Sequence, residues 1–223
     1  METQAETPTE VMVRTEHNRA AFTMVEMAIA MVILSSVMGS IFYVLESTTQ
    51  AFRTGSVVAR MDTDMEYVLQ KACDALRSSD LTPAPNGTES GLDFQRAVGV
   101  DDAGTTHLGD PERIFFLYDD GELDNGVDDD NDGLIDEGNL YLVRDQDGMA
   151  QTELLARDVV EAPPGERLGN GADDDGNGLI DDRGFSVVQE NGHLTVRITL
   201  ERVDPSSKRT IVTTSERTVT LRN

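Results

Sequence analysis

The stretch FTMVEMAIAMVILSSVMGSIFYVL, residues 22–45, decides the fold of the N-terminal part of this 223-residue chain. From Met27 to Leu45 it contains 19 consecutive residues without a charged side chain. A helix rises about 1.5 Å per residue, so this run would span about 28 Å, close to the hydrocarbon thickness of a bilayer. The segment is therefore predicted to be a helix that enters a membrane.

Two ordinary membrane-targeting segments have a similar composition, a cleaved secretory signal peptide and an uncleaved signal anchor. The apolar run is longer than the roughly 7–15 residues usual for a signal peptide. The 21 residues before Phe22 contain four acidic residues against Arg14 and Arg19, whereas a signal peptide begins with a positively charged region. Of these two segments, the composition favours the uncleaved anchor, and the cleaved signal peptide stays open as well.

Glu26 is the informative residue of this segment, because a carboxylate near the edge of a membrane helix is costly and usually has a partner or a function. A cut between Ala21 and Phe22 would supply a partner, since the new ammonium of Phe22 in one subunit could neutralise Glu26 of its neighbour. The run Ala21-Phe22-Thr23-Met24-Val25-Glu26, followed by the apolar stretch, resembles the prepilin cleavage and methylation motif of type IV pilins and type II secretion pseudopilins.

This resemblance implies that a prepilin peptidase removes residues 1–21 as a leader and that the new N-terminal Phe22 is methylated. It also implies that residues 22–45 form the membrane and filament-core helix, with Phe22 and Glu26 acting in assembly with other pilin or pseudopilin subunits. Glycine normally precedes the cut in this family, and Ala21 is the next smallest residue. The implied location is the bacterial inner membrane, crossed once, with the remaining chain in the periplasm or in an extracellular filament.

Residues 46–82 continue the helix in amphipathic form. Apolar residues recur at helical spacing from Val58 to Leu76 between charged ones, which predicts a helix to about Ser78 that packs on a sheet. Gly39 and Gly55 are candidate bends. Cys73, the single cysteine, is interpreted as a small hydrophobe at the edge of the apolar stripe, with a reactive thiol as the alternative.

Residues 83–223 are predicted to form an antiparallel β head, which makes the fold class α+β. Asn191-Gly192 and Asp147-Gly148 are hairpin signals, and Asp204-Pro205-Ser206-Ser207 is predicted to be a turn. Leu194, Val196, Ile198 and Leu200 alternate and are expected on one buried face. The predicted strands are Leu92–Val98, Arg113–Tyr118, Asn139–Arg144, Gln151–Leu155, Phe185–Gln189, His193–Val203 and Thr210–Leu221.

The length of the chain and its ending, Thr218–Asn223, also resemble the larger minor pilins of the W class and the J-class minor pseudopilins. This resemblance implies a tip or low-abundance position in a filament.

Two acidic loops, residues 119–138 and 169–184, interrupt the strands. Residues 125–137 read NGVDDDNDGLIDE and residues 170–182 read NGADDDGNGLIDD, identical at nine of thirteen positions. Ten carboxylates and no basic residue lie between Asp119 and Glu137. Neither a helix nor a strand could hold so many like charges, whereas a hard cation with oxygen ligands would remove the repulsion.

The spacing of these loops fits calcium and resembles the first nine positions of an EF-hand loop. The expected ligands of the first loop are Asp128, Asp130, Asp132, the Leu134 carbonyl and Asp136. Those of the second are Asp173, Asp175, Asn177, the Leu179 carbonyl and Asp181, a weaker set with one carboxylate fewer. Ile135 and Ile180 are expected to point into the core. Asn139 and Gly184 replace the bidentate Glu of a sensor loop, and the alternative reading is a solvated acidic surface.

Composition excludes some classes of function. With 42 acidic against 18 basic residues, the net charge is −24, which argues against nucleic-acid binding because phosphates require clustered Lys and Arg. The three histidines are scattered, and no nucleophile elbow, phosphate loop or zinc spacing is present, so no enzyme activity is predicted. A membrane-anchored calcium-binding adhesin or binding module that never polymerises is the alternative to a filament subunit.

Overall fold

The computed structural model describes residues 22–81, 84–146 and 149–221. Contacts divide the chain into two units, the first ending at Ser47 and the second beginning at Thr48. One helix, α1 (Met24–Leu76), begins in the first unit and ends in the second. The predicted leader, residues 1–21, lies outside the described residues, as do Pro83 and the Asp147-Gly148 dipeptide.

The described part of the first unit is exposed throughout, including its large apolar side chains. Helix α1 contains a stretch that is long and apolar enough to cross a membrane. Exposed apolar surface on this scale requires lipid or neighbouring protein to cover it. The N-terminal helix therefore fits a single-pass, membrane-anchored protein.

In the second unit, α1 packs one face on a sheet. It ends at Leu76 rather than near Ser78, and it continues through Gly39 and Gly55 without interruption. Cys73 is only 4% exposed, and burial raises the pKa of its thiol to about 11, which leaves it protonated and unreactive at neutral pH. The buried residues of the helix are Met61, Met65, Val68, Leu69, Ala72, Cys73, Ala75 and Leu76.

The sheet of the described residues has eight antiparallel strands in the order β1-β2-β3-β4-β5-β7-β6, with β8 also paired to β7. Together with α1 it makes the fold α+β, a long N-terminal helix on an antiparallel sheet. The strands are β1 (Ser79–Asp80), β2 (Gly91–Val100), β3 (Thr106–Tyr118), β4 (Gly138–Gln146), β5 (Met149–Val159), β6 (Phe185–Glu190), β7 (His193–Val203) and β8 (Thr210–Thr220).

The hairpin between β6 and β7 follows from its sequence. Asn191 and Gly192 have φ values of 50° and 79°, the left-handed conformation that a two-residue hairpin loop requires, and Glu190 pairs with His193 across it. The predicted inward face of β7 is confirmed, since Leu194, Val196, Ile198 and Leu200 are fully buried.

The predicted strand 113–118 is too short. Strand β3 begins at Thr106, through Asp110 and Pro111, residues that disfavour a regular strand. The register with β2 shifts twice between Gln95 and Gly99, so a bulged pairing accommodates the extra residues. Only the second half of β3, from Glu112, pairs with β4. Pro111, which has no backbone N–H to donate, therefore needs no hydrogen bond to β4.

The core lies between the buried helix face and the sheet, and ion pairs surround it. Arg202 bonds Asp64 of the helix at 2.7 Å and Asp158 of β5 at 2.9 Å. Lys71 pairs with Glu153 at 2.9 Å. These links join α1 to the sheet around a core to which, among the strands, β4 and β7 contribute the most fully buried side chains, including Leu140, Leu142 and Ile198.

Candidate metal centres

The first acidic loop, residues 119–137, joins β3 to β4, and its aspartates fold it back on itself. Asp128 accepts hydrogen bonds from the amides of Asn131 (2.6 Å) and Gly133 (3.1 Å). Asp130 accepts one from the amide of Asp132, and Asp132 one from that of Leu134, both at 2.9 Å. As a result, oxygens of Asp128, Asp130 and Asp132 lie within 4.8 Å of one another, a group that could hold a metal ion.

Glu122 organises this loop, although the spacing argument does not include it. The side chain is 5% exposed, and its carboxylate accepts the amides of Asp129 and Asp130 at 2.9 Å and that of Asp136 at 3.3 Å. Asp136 in turn accepts the amides of Asn125 (3.1 Å) and Gly126 (2.8 Å). The two carboxylates thus close the loop at its base.

Glu137 is the least satisfied group in the loop. It is 1% exposed, and neither carboxylate oxygen has a hydrogen-bond partner from another described residue. Burial, together with the charges of Asp132, Glu122 and Asp130, raises its pKa to about 7. Glu137 lies within 4.8 Å of Glu122 and Asp130, oxygen to oxygen, which makes a second potential metal-binding group that shares Asp130 with the first.

The second acidic loop lies in the connection between β5 and β6, residues 160–184, and this connection repeats the same framework. Glu166 accepts the amides of Asp174, Asp175 and Asp181, as Glu122 does in the first loop. Asp181 accepts the amides of Asn170 and Gly171, and Asp173 those of Gly176 and Gly178. Oxygens of Glu166, Asp173 and Asp175 lie within 4.8 Å of one another.

The last carboxylate of the second loop has partners, unlike Glu137. Asp182 is fully buried and accepts hydrogen bonds from the Asn177 amide at 3.2 and 3.3 Å and from the Arg197 guanidinium at 3.5 Å. Burial raises its pKa, while Asn177 and Arg197 oppose the rise. Asn177 stands where the first loop has Asp132, so an amide donor replaces a carboxylate there.

A further acidic group, Asp124, Asp136 and Glu161, also lies within 4.8 Å, oxygen to oxygen. Two of its members have protein partners, since Asp136 accepts two backbone amides and Glu161 pairs with Arg183 at 2.9 Å. This group is therefore less dependent on a cation than the one containing Glu137.

The expected burial of Ile135 and Ile180 is wrong. Their side chains are 54% and 53% exposed, whereas Leu134 is 4% exposed and Leu179 is half-buried. Gly133 has a φ of 100°, and a β-carbon added to it would lie 3.1 Å from the side chain of Val203 of β7. The chain reverses at this glycine and turns the following leucine, rather than the isoleucine, toward the sheet.

The sequence contained a signal for the missed glutamates. Gly121-Glu122 and Gly165-Glu166 recur before the two repeats, and both glycines have left-handed φ values, 110° and 100°. Glu137 and Asp182 end the repeat itself, one residue beyond the last predicted ligand. The sequence of the repeat gives no signal for the role of Arg197, because this residue lies outside the repeat, on β7.

The N-terminus of α1 is capped by its own residues. The Glu26 carboxylate accepts the amide of Thr23 at 2.8 Å and the Thr23 hydroxyl at 2.9 Å, and the Thr23 hydroxyl accepts the amide of Glu26 at 3.2 Å. This reciprocal pattern is a capping box. Phe22 is 79% exposed, and Ala21 lies outside the described residues.

Comparison with protein families finds one motif, the prokaryotic N-terminal methylation motif, at residues 17–42. Neither curated proteins nor solved structures gave a match. The motif is a structural element of pilins rather than part of an enzyme family. Together with the apolar helix that begins at Met24, this motif supports a relation of the chain to the type IV pilin and pseudopilin family.

Proposed function

We propose that this protein is a structural subunit, a minor pilin or pseudopilin, of a type IV pilus or a type II secretion-like filament. The methylation motif at residues 17–42 carries the proposal, because it stands at the start of a helix whose apolar side chains are exposed. In a filament, neighbouring helices of the same kind would cover this surface. Before assembly, the inner membrane would cover it, with the second unit in the periplasm.

Processing by a prepilin peptidase between Ala21 and Phe22 tests the proposal. Removing 21 of 223 residues from a 24.4 kDa chain should lower the mass by about 2.3 kDa and leave the apolar helix in place. Intact mass measured with and without a co-expressed prepilin peptidase gives the answer. Ala21→Gly should be cleaved at least as well, and Ala21→Leu is the matched variant in which cleavage should fail.

Other N-termini of the mature chain would support other types of processing or function. A mature chain that starts after residue 36 would indicate signal peptidase and contradict the filament proposal. An intact chain would favour the anchored adhesin or binding module that does not polymerise. One observation supports that second candidate, since the capping box satisfies Glu26 without a partner subunit.

Glu26 is proposed to act in assembly by pairing with the methylated amino group of Phe22 on a neighbouring subunit. Left unpaired within the bilayer, a carboxylate costs about 2.5–3.5 kcal/mol. Because Glu26 also caps its own helix, Glu26→Ala removes both functions, whereas Glu26→Gln keeps a capping oxygen and removes the charge. Thr23→Ala is the matched variant that weakens the cap alone.

Incorporation into sheared filaments, compared with the amount in the membrane, separates these functions. Assembly through charge predicts that Glu26→Gln is excluded from filaments and Thr23→Ala is incorporated. If Glu26→Gln is incorporated normally and Thr23→Ala is not, Glu26 acts only as a cap.

The acidic loops are proposed to bind calcium, which would brace the loops of a chain that has no disulfide. The proposed ligands remain Asp128, Asp130, Asp132, the Leu134 carbonyl and Asp136, with Asp173, Asp175, Asn177, the Leu179 carbonyl and Asp181 in the second loop. Flexible sets of carboxylate and carbonyl oxygens suit calcium, while magnesium requires a smaller octahedral shell. The full chain in a non-ionic detergent should melt higher in calcium than in chelator, and magnesium should replace calcium poorly.

A further inference from the structure

Glu137 and Asp182 end the two repeats at equivalent positions and are both almost completely inaccessible, at 1% and 0% exposure. Their chemical surroundings differ. Taking a carboxylate out of water costs several kcal/mol unless a cation or hydrogen-bond donors replace the water. Each loop must therefore supply a replacement, and the two loops do so in different ways.

The first acidic loop has no group of its own that replaces the lost water around Glu137. The five carboxylates of Glu122, Asp128, Asp130, Asp132 and Glu137 form two groups of close oxygens, and Asp130 is common to both groups. None of them forms an ion pair with a Lys, Arg or His among the described residues. Backbone amides serve four of them, and Glu137 alone faces the cluster without a donor from another residue.

In the second acidic loop, protein groups replace the lost water around Asp182. Arg197 lies on β7, 18% exposed in its side chain, and its guanidinium reaches both Asp182 (3.5 Å) and Glu216 of β8 (3.2 Å). The Asn177 amide donates to Asp182 and also to Asp175, the latter at 2.8 Å. A fixed positive charge and an amide thus face the carboxylates from inside the protein.

We infer that the two repeats satisfy their carboxylates differently: the first acidic loop binds a hard divalent cation with Glu137 as a ligand, and the Arg197 guanidinium takes the place of that cation in the second. This inference rests on the proposed calcium binding and narrows it to one principal site. In the first loop Glu137 joins the proposed ligands Asp128, Asp130 and Asp132. Asp136 holds the base of the loop through the amides of Asn125 and Gly126.

Calcium titration of the full chain in a non-ionic detergent, followed by calorimetry, tests the inference. Wild type should bind one calcium ion tightly. Glu137→Gln should weaken that binding by at least about 10-fold, the loss typical when a group that supports a bound metal is removed. Asp182→Asn, the matched variant at the equivalent position of the second loop, should keep the tight site.

Melting temperature in chelator distinguishes a ligand from a residue that only supports the fold. Because Glu137→Gln removes a buried charge without a partner, the variant should melt as high as wild type or higher in chelator, and calcium should raise its melting temperature less than that of wild type. A residue with a purely structural role would lower both curves. If Glu137→Gln lowers both and retains tight calcium binding, the inference is overturned.

Arg197 supplies the complementary test. Arg197→Gln should destabilise the chain in chelator and create a second calcium-binding event, because Asp182 then lacks its cation. Arg209→Gln, which removes an exposed charge from the β7–β8 connection, should do neither. Two equal sites in wild type would overturn the inference and leave the proposed calcium binding intact, whereas no calcium binding at all would overturn both.

Discussion

The two acidic loops agree at nine of thirteen positions and share the same backbone hydrogen bonds, yet they differ in what faces their last carboxylate. Glu137 has no donor from another described residue, whereas Asp182 has the Arg197 guanidinium and the Asn177 amide. The comparison shows that a repeat can preserve the backbone hydrogen bonds of a loop while the partners of its last carboxylate change. One long-range contact from β7 is enough to make that change.

The largest expected effect concerns packing beneath the loops. Leu134→Ala should cost about 2–5 kcal/mol of unfolding free energy, because the leucine is 4% exposed and its removal leaves a cavity. Leu179→Ala should cost less, since Leu179 is half-buried. Denaturant unfolding in chelator measures both, and equal costs would show that the two loops pack alike.

The next effect depends on the cation. At a free calcium concentration 100 times the dissociation constant, binding should stabilise the chain by about 2.7 kcal/mol. Asp130→Ala should abolish this gain, because Asp130 belongs to both close groups of the first loop, and Asp175→Ala should preserve most of it. The measurement is a pair of thermal melts, in calcium and in chelator, and a gain lost equally in both variants would contradict the difference between the loops.

Glu122 and Glu166 should be equivalent, since each accepts three backbone amides. Glu122→Ala and Glu166→Ala should each cost about 1–3 kcal/mol in chelator, the cost of leaving buried donors unpaired. Urea titration of the two variants checks this, with Glu161→Ala for comparison because Glu161 pairs with Arg183 outside the repeats. A large difference in unfolding free energy between the two variants would mean that the same hydrogen bonds stabilise the two loops to different extents.

The smallest effect concerns Asp204, a carboxylate that, unlike Glu137, accepts hydrogen bonds from several other residues. Thr54, Ser206 and Ser207 donate to it and lower its pKa to about 2. Since the folded pKa lies below the unfolded value, the stabilisation is complete above about pH 4 and is lost as the pH falls from about 4 to 2. Asp204→Asn should therefore lose less stability than wild type over that interval, as measured by unfolding at a series of pH values, and parallel pH profiles would contradict the assignment.

Local patterns predicted the elements whose causes lie within a few residues. The apolar run to Leu45, the Asn191-Gly192 hairpin and the alternation along β7 all describe the structure correctly. The extension of β3 through Pro111 was missed because a bulged register with β2 permits it, and register depends on the partner strand.

By itself, the sequence determined that an apolar N-terminal helix precedes an antiparallel sheet and that two loops concentrate carboxylates, because charge density, periodicity and turn residues act locally. Tertiary structure alone decided that Leu134 rather than Ile135 is buried, that Glu122 and Glu137 join the first acidic cluster, and that Arg197 reaches the second. The physical reason is that burial and charge pairing depend on which strands lie beneath each loop. Two nearly identical repeats placed over different parts of one sheet therefore surround their last carboxylates with different partners.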